Sequence, residues 1–161
     1  MTTPRDRTDR TAAAGGTGLS PARSRARGEA AVIAAISVGG GLGAAARHGA
    51  ALLWPAHGHA FPWTILAVNA LGCALIGVLM AVLARARTAH RLIRPFLGTG
   101  VLGGFTTFST YAADVRGLLG DGHARLGIAY LVATPVIAVT AAWGAAALTR
   151  RFLPAPRGEA G

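Results

Sequence analysis

The sequence has no lysine and six acidic residues, so its formal charge of +10 comes from sixteen arginines. It has a single cysteine, Cys73, which excludes an intramolecular disulfide. No carboxylate lies inside its long uncharged segments. It also lacks a metal-ligand set, because no cysteine or carboxylate joins His57 and His59, and it lacks a phosphate-binding loop. We therefore predict that the protein is not an enzyme.

Long apolar segments dominate the chain. Of the 161 residues, 52% are hydrophobic, and the mean hydropathy of +0.46 is too high for an ordinary soluble domain. Because about 20 apolar residues cross a bilayer, we predict an all-α membrane protein with four transmembrane helices and one membrane domain over residues 30–150. The four uncharged runs are Ala30–Ala46 continuing as His48–Trp54, Ala60–Ala84, Pro95–Ala113 and Leu126–Thr149.

The arginines lie mostly in the tails and between the apolar runs, which favours a role in membrane topology over nucleic-acid binding. Residues 1–29 are predicted to form a disordered basic tail that can contact anionic lipid headgroups. Residues 151–161 form a short C-terminal tail. One predicted side carries thirteen arginines, six in the N-terminal tail, four in the second join and three near the C-terminus, against two on the other side. This bias predicts a multi-pass cell-membrane protein with both termini in the cytoplasm.

The third apolar run contains an unusual stretch, residues 103–111. Gly103 and Gly104 weaken a helix, and four hydroxyl residues follow within five positions. If the helix breaks near 103–106, its freed carbonyls need a partner, and a hard cation prefers such oxygen ligands. Alternatively, the glycines serve close packing and the hydroxyls bond back to carbonyls of their own helix.

Beyond this predicted break, the same run offers donors that suit an anion. Thr107, Ser109 and Thr110 offer hydroxyl groups, and Phe108 and Tyr111 offer the electropositive edges of their rings. Such groups can pass an anion along without the full positive charge that would trap it. These residues predict a polar pathway at membrane depth, although they do not choose among the halides.

Other polar residues in the apolar runs allow two interpretations. Asn69 either bonds two helices together or faces a polar pathway. Arg47 either extends to the membrane interface or places positive charge at the mouth of an anion path. Tyr130 and Thr134 share a helix face and either extend the pathway or bond neighbouring helices. In the first run, residues 39 and 43 are glycines at a spacing typical of close helix packing, with a vestibule lining as the alternative.

Three blocks together resemble the small fluoride channels of the Fluc/CrcB family. They are Gly-Gly-Gly-Leu-Gly-Ala-Ala-Ala-Arg-His at 39–48, Thr-Ile-Leu-Ala-Val-Asn-Ala-Leu-Gly at 64–72, and the run from 98 to 111 that contains Gly-Gly-Phe-Thr-Thr-Phe-Ser-Thr-Tyr. The third block is highly specific, and the blocks occur in the family order. The resemblance covers roughly residues 30–150. It implies a fluoride-selective channel that passively releases cytoplasmic fluoride and so reduces fluoride toxicity.

The resemblance also implies an assembly and a set of functional residues. It implies a dimer of two oppositely oriented subunits, a third helix broken in the middle, and a structural sodium ion at the dimer centre. Sodium would bind backbone carbonyls of Gly103 and Thr106. The family usually has Phe where this chain has Tyr111, and an aromatic residue at His48. The implied fluoride path comprises Asn69, Thr107, Phe108, Ser109, Thr110, Tyr111, Tyr130 and Thr134, with Arg47 in the vestibule.

Two other functions and one question of assembly remain open from the sequence. A proton-coupled multidrug exchanger is also a four-helix antiparallel dimer, but it needs a carboxylate inside the membrane, and Asp114 lies only at the end of a run. A structural subunit without transport is the other alternative. The arginine bias favours one fixed orientation, so we predict that the opposite subunit is a related chain that inserts the other way, with a second copy of this chain as the alternative.

Overall fold

The computed structural model describes residues 21–55, 61–86 and 90–153, and within these ranges all regular secondary structure is helical. Three helices are long and apolar enough to cross a membrane, over Arg25–Leu53, Trp63–Leu83 and Ala124–Phe152. This confirms the prediction of an all-helical membrane protein. The elements are α1 (Pro21–Leu53), α2 (Trp63–Leu83), the π-helix π1 (Arg94–Leu102), α3 (Gly103–Phe105), α4 (Phe108–Gly120) and α5 (Ala124–Phe152).

The helix boundaries follow from prolines and apolar runs. Pro62 is the residue before α2, and Pro95 lies in the first turn of π1, where a missing N–H leaves no helical hydrogen bond unmade. α1 begins earlier than the uncharged run, so residues 21–29 of the predicted N-terminal tail are helical. The rest of that tail, 1–20, and residues 154–161 of the predicted C-terminal tail lie outside the described residues.

The helices pack in two groups. α2 lies along α5, and α1 lies along π1 and α3. A small buried core joins α2, α4 and α5, and Phe61 and Ile65 pack against it. Large apolar side chains are exposed along α1 and α5, which is the composition expected of helices that face lipid or another subunit. The core residues are Leu66, Tyr111, Val115, Leu118 and Tyr130.

Glycines allow α1 to approach π1 and α3 at backbone distance. A Cβ atom at Gly39 would lie 2.6 Å from the Phe96 carbonyl oxygen, and one at Gly43 would overlap the Val101 carbonyl oxygen. A Cβ at Gly104 would in turn overlap the backbone of Gly40. The close-packing interpretation of the glycines in α1 is therefore correct, since both Gly39 and Gly43 are buried against backbone.

Gly43→Ala is expected to destabilise the protein by about 1–3 kcal/mol, because the added methyl group forces α1 away from α3. Thermal unfolding of the purified protein in detergent measures the effect. Gly41→Ala is the matched control on the same helix, because its Cβ would meet nothing within 4 Å. Equal unfolding temperatures for the two variants would contradict this packing.

Candidate ion pathway

The helical backbone is interrupted between α3 and α4. Thr106 has φ −75° and ψ 154°, and Thr107 has φ −147° and ψ 125°, so both residues are extended. α3 ends at Phe105 and α4 begins at Phe108. Gly103 itself keeps helical angles. The interruption therefore falls on two threonines rather than on the adjacent glycines.

Asn69 of α2 binds the interrupted backbone through both ends of its amide. Its Oδ1 accepts the Thr107 N–H at 2.8 Å, and its Nδ2 donates to the Thr107 carbonyl at 3.1 Å. The side chain is buried. Because the extended residue cannot use helical partners, this pair of bonds replaces them. Of the two interpretations of Asn69, the one in which it bonds two elements together describes these contacts.

Two carbonyls at the interruption lose the N–H donors that a continuous helix would give them. In a continuous helix the Gly103 carbonyl would accept the Thr107 N–H, but Asn69 accepts that proton instead. The Thr106 carbonyl would accept the Thr110 N–H, which donates to the Thr107 hydroxyl at 3.2 Å. These two carbonyls are the oxygens predicted to hold sodium. By contrast, the Thr106 hydroxyl bonds back to the Leu102 carbonyl at 3.0 Å.

Arg47 reaches the same segment from α1. Its Nε lies 3.4 Å from the Gly104 carbonyl, whose helical donor would have been the N–H of the first residue of α4. The residue is half-buried. The guanidinium therefore brings positive charge from α1 to the interruption.

Three hydroxyl groups meet at the start of α4. The Thr107 hydroxyl donates to the Thr110 hydroxyl at 3.1 Å and lies 3.2 Å from the Ser109 hydroxyl. Thr107 also caps α4 by accepting the Thr110 N–H. Since each hydroxyl carries one proton, this arrangement leaves the Thr110 proton to be donated outside the cluster. The three hydroxyl residues predicted from the sequence thus form one hydrogen-bonded network, in which the Thr110 hydroxyl is the available donor.

The two predicted pathway rings differ in exposure. Phe108 is 79% exposed, whereas Tyr111 is buried, and their ring centroids are 5.6 Å apart. The Tyr111 hydroxyl donates to the Leu131 carbonyl of α5 at 2.7 Å. The hydroxyl that distinguishes Tyr111 from the phenylalanine usual in the resembled family is therefore engaged with the backbone.

Tyr111→Phe is expected to leave ion flux unchanged and to lower the free energy of unfolding by about 1 kcal/mol, because only the bond to the Leu131 carbonyl is lost. Flux from proteoliposomes and thermal unfolding are measured on the same preparation. A loss of flux at unchanged stability would show that the hydroxyl contacts the ion.

Polar side chains continue between α4 and α5. Tyr130 is fully buried, its ring centroid lies 5.4 Å from that of Tyr111, and its hydroxyl lies 3.4 Å from Asp114 Oδ2. One turn further along α5, Thr134 is 5% exposed, and its hydroxyl has no hydrogen-bond partner among the described residues. An unpartnered buried hydroxyl is costly unless something else occupies its site.

The sequence alone does not predict the contact between Asp114 and Tyr130, because Asp114 lies at the end of an apolar run. The spacing of Tyr111 and Asp114, three residues apart on α4, places both on the face that packs against α5. This spacing was the available signal. Among the described residues, no three His, Cys, Asp or Glu side chains gather as a metal site.

These features define the class of protein: it is a helical membrane protein with several spans, and its polar groups lie together at one interruption of the helices. Residues 34–146 match the family model described as CrcB-like protein, Camphor Resistance (CrcB). The chain belongs to this family. It is 59% identical over 133 residues to the "Fluoride-specific ion channel FluC 1" of Streptomyces coelicolor, covering 83% of this chain and 86% of the relative.

Two further relatives carry similar names. The "Fluoride-specific ion channel FluC 2" of Streptomyces avermitilis is 57% identical over 116 residues, which cover 71% of this chain and 73% of the relative. The protein of that name from Thermobifida fusca is 50% identical over 119 residues, covering 72% of this chain and 88% of the relative. The resemblance drawn from the sequence is confirmed, and the family is one of ion channels rather than enzymes.

Proposed function

We propose that this protein is a fluoride-selective channel through which cytoplasmic fluoride leaves the cell passively, which reduces fluoride toxicity. The observation that carries the proposal is the interruption at Thr106 and Thr107, which collects an available hydroxyl donor, an exposed ring and a guanidinium. The names of the relatives supply the choice of fluoride among the halides.

The route runs from the interruption along α4 and α5. The anion meets the Thr110 hydroxyl and the edge of Phe108, and it then passes the rings of Tyr111 and Tyr130 towards the unpartnered hydroxyl of Thr134. Neutral donors and ring edges replace water without binding the anion too tightly to leave. Ser109 and Thr107 orient the donor at the start of this route.

Arg47 and Asn69 act beside the route rather than along it. Arg47 adds a positive potential at the interruption, which raises the local concentration of anions. Asn69 holds Thr107 extended, so that α4 begins with its hydroxyl cluster in place. Asn69 is thus a positioning residue whose amide is engaged with the backbone.

The carbonyls of Gly103 and Thr106 from two subunits would hold a structural sodium ion. Their helical donors are diverted, and carbonyl oxygens are the ligands that a hard cation accepts. Sodium supplies the positive charge that neutralises those oxygens at membrane depth.

Sodium is therefore expected to raise the unfolding temperature of the assembled dimer, formed by this chain alone or with the related subunit, relative to a large organic cation at equal ionic strength, because a ligand that binds only the folded state stabilises it. Thermal unfolding in the two salts measures this. Identical unfolding temperatures in the two salts would contradict the sodium site.

The functional unit is a dimer of oppositely oriented subunits. π1, α3 and α4 together form a third crossing of the membrane, broken at Thr106–Thr107, and α1, α2 and α5 form the other three. Phe108 and Ser109 are exposed beside the interruption, and burying a ring of that size in a subunit interface is favourable. Both termini of this chain lie in the cytoplasm, and those of the opposite subunit lie on the other side.

The second subunit is a related chain with the opposite arginine bias, because thirteen arginines against two favour a single orientation for this chain. Without the N-terminal tail the ratio is still seven against two. Reconstitution of this chain alone, and together with a paralogue of reversed bias, separates the alternatives. Rapid fluoride flux from this chain alone would assign a homodimer instead.

A fluoride electrode outside fluoride-loaded proteoliposomes tests the channel itself. With a potassium ionophore present to carry the compensating charge, we expect rapid release without added energy or a proton gradient in at least one of these two preparations. Release that requires a proton gradient would instead favour an exchanger, and absence of release in both would favour a structural subunit.

A further inference from the structure

We infer that a cavity at the arginine-rich end of the bundle binds the phosphate headgroup of an anionic phospholipid, with Arg91 and Arg94 as its main ligands. The cavity has a volume of about 420 Å³ and lies where the end of α2 meets the start of π1. It does not include any residue of the ion pathway. Its lining consists of Met80, Leu83, Ala84, His90, Arg91 and Arg94.

The lining has the two-part chemistry of a lipid rather than that of a free anion. Met80 and Leu83 provide an apolar wall, while the two arginines provide charged donors suited to phosphate oxygens. A site for free phosphate would surround the ion with polar donors, whereas half of this lining is hydrocarbon. An acyl chain can follow the apolar wall while the phosphate stays at the arginines.

His90 adds a neutral donor to the same cavity. Its Nδ1 lies 3.3 Å from the Leu92 backbone nitrogen and accepts that N–H. An imidazole that accepts at Nδ1 carries its proton on Nε2, so it can donate to a phosphate oxygen. None of the described residues that line this cavity is a carboxylate. The polar half of the lining therefore favours an anion.

Arg91 is positioned by α1. A Cβ atom on Gly28 would lie 3.3 Å from a guanidinium nitrogen of Arg91, so the glycine leaves room for this side chain against the helix. Arg91 also lines a second cavity of about 540 Å³, together with Arg25 and Glu29. The Glu29 carboxylate would repel a phosphate in this second cavity. The headgroup is therefore assigned to the first cavity, whose lining residues include no carboxylate.

The position in the fold agrees with this ligand. The cavity lies at the end of the bundle where the last residues of α2 approach Arg91, which also lines a cavity with the first residues of α1. This end carries the arginine excess. That side is predicted to face the cytoplasm, and the cytoplasmic leaflet is the one rich in anionic lipids. Basic pockets between helices at this depth are suited to lipid headgroups.

Native mass spectrometry of the purified protein in phosphatidylglycerol or phosphatidylcholine tests the site. We expect wild type to retain one phosphatidylglycerol per subunit in preference to phosphatidylcholine. The double variant Arg91→Ala/Arg94→Ala is expected to bind it about tenfold more weakly. The matched control is Arg116→Ala/Arg125→Ala, which removes two exposed arginines on the predicted opposite side and is expected to bind like wild type.

Two further arms keep the proposal open to contradiction. Ala84→Phe fills the cavity but keeps both arginines, and it is also expected to lose the lipid. Agreement between this variant and the double variant would show that lipid loss does not result from a folding defect of the double variant. Millimolar inorganic phosphate is expected not to displace the lipid. Equal retention by wild type and by both cavity variants, or displacement by inorganic phosphate, would overturn the proposal.

Discussion

Phe108→Ile is expected to cut fluoride efflux by about tenfold, because the lost ring edge is worth about 1.4 kcal/mol to a partly dehydrated anion. The fold should be little affected, since the ring is 79% exposed within one subunit. Efflux is measured with a fluoride electrode at equal protein density in the liposomes. Subunit association is checked on the same sample by size-exclusion chromatography.

Phe152→Ile is the matched control for the ring. Phe152 is 80% exposed at the end of α5 and lies outside the proposed route, so the same loss of aromatic area occurs elsewhere. We expect its efflux to equal that of wild type. Equal efflux from Phe108→Ile and Phe152→Ile, with both proteins folded and associated, would remove ring-edge conduction from the account.

Asn69→Ala is expected to abolish most fluoride efflux and to lower the unfolding temperature. The substitution leaves the Thr107 N–H and carbonyl without partners in the membrane interior, and each unsatisfied group costs about 1–3 kcal/mol. Thr107 then no longer holds the hydroxyl cluster at the start of α4. Efflux and thermal unfolding are both measured.

The unfolding temperature separates the positioning role of Asn69 from direct contact with the ion, and Thr140→Ala is the matched control. Thr140→Ala removes a hydroxyl that bonds only to carbonyls of its own helix, so both efflux and unfolding temperature should stay near wild type. Asn69→Asp keeps an acceptor for the Thr107 N–H but loses the donor to its carbonyl. Loss of efflux in Asn69→Ala at an unchanged unfolding temperature would show that the amide faces the ion instead.

The sequence predicts a membrane protein because a helix that crosses a bilayer needs a long uncharged run of residues. Such runs, for example the one that forms α2, are visible in the sequence itself. The close approach of α1 was predictable from the spacing of Gly39 and Gly43. The π-helical form of Arg94–Leu102 was not, because no local signal in that run distinguishes π-helix from α-helix.

The candidate site was predictable as a group of residues but not as a set of contacts. Composition placed a break near 103–106 because glycine weakens helices, yet Gly103 stays helical and the extended residues are threonines. The position of the interruption depends on Asn69, because its amide binds both the N–H and the carbonyl of Thr107, which is 38 residues away in sequence. A contact between distant elements has no signature in local sequence.

Selectivity of efflux tests the central claim most directly. Liposomes loaded with equal concentrations of fluoride and chloride contain this chain, either alone or with a related subunit of reversed arginine bias, and two ion-specific electrodes follow release. The proposed route predicts rapid fluoride release with chloride retained in at least one preparation. Chloride released as fast as fluoride, or no fluoride release from either preparation, would contradict the assignment of a fluoride-selective channel.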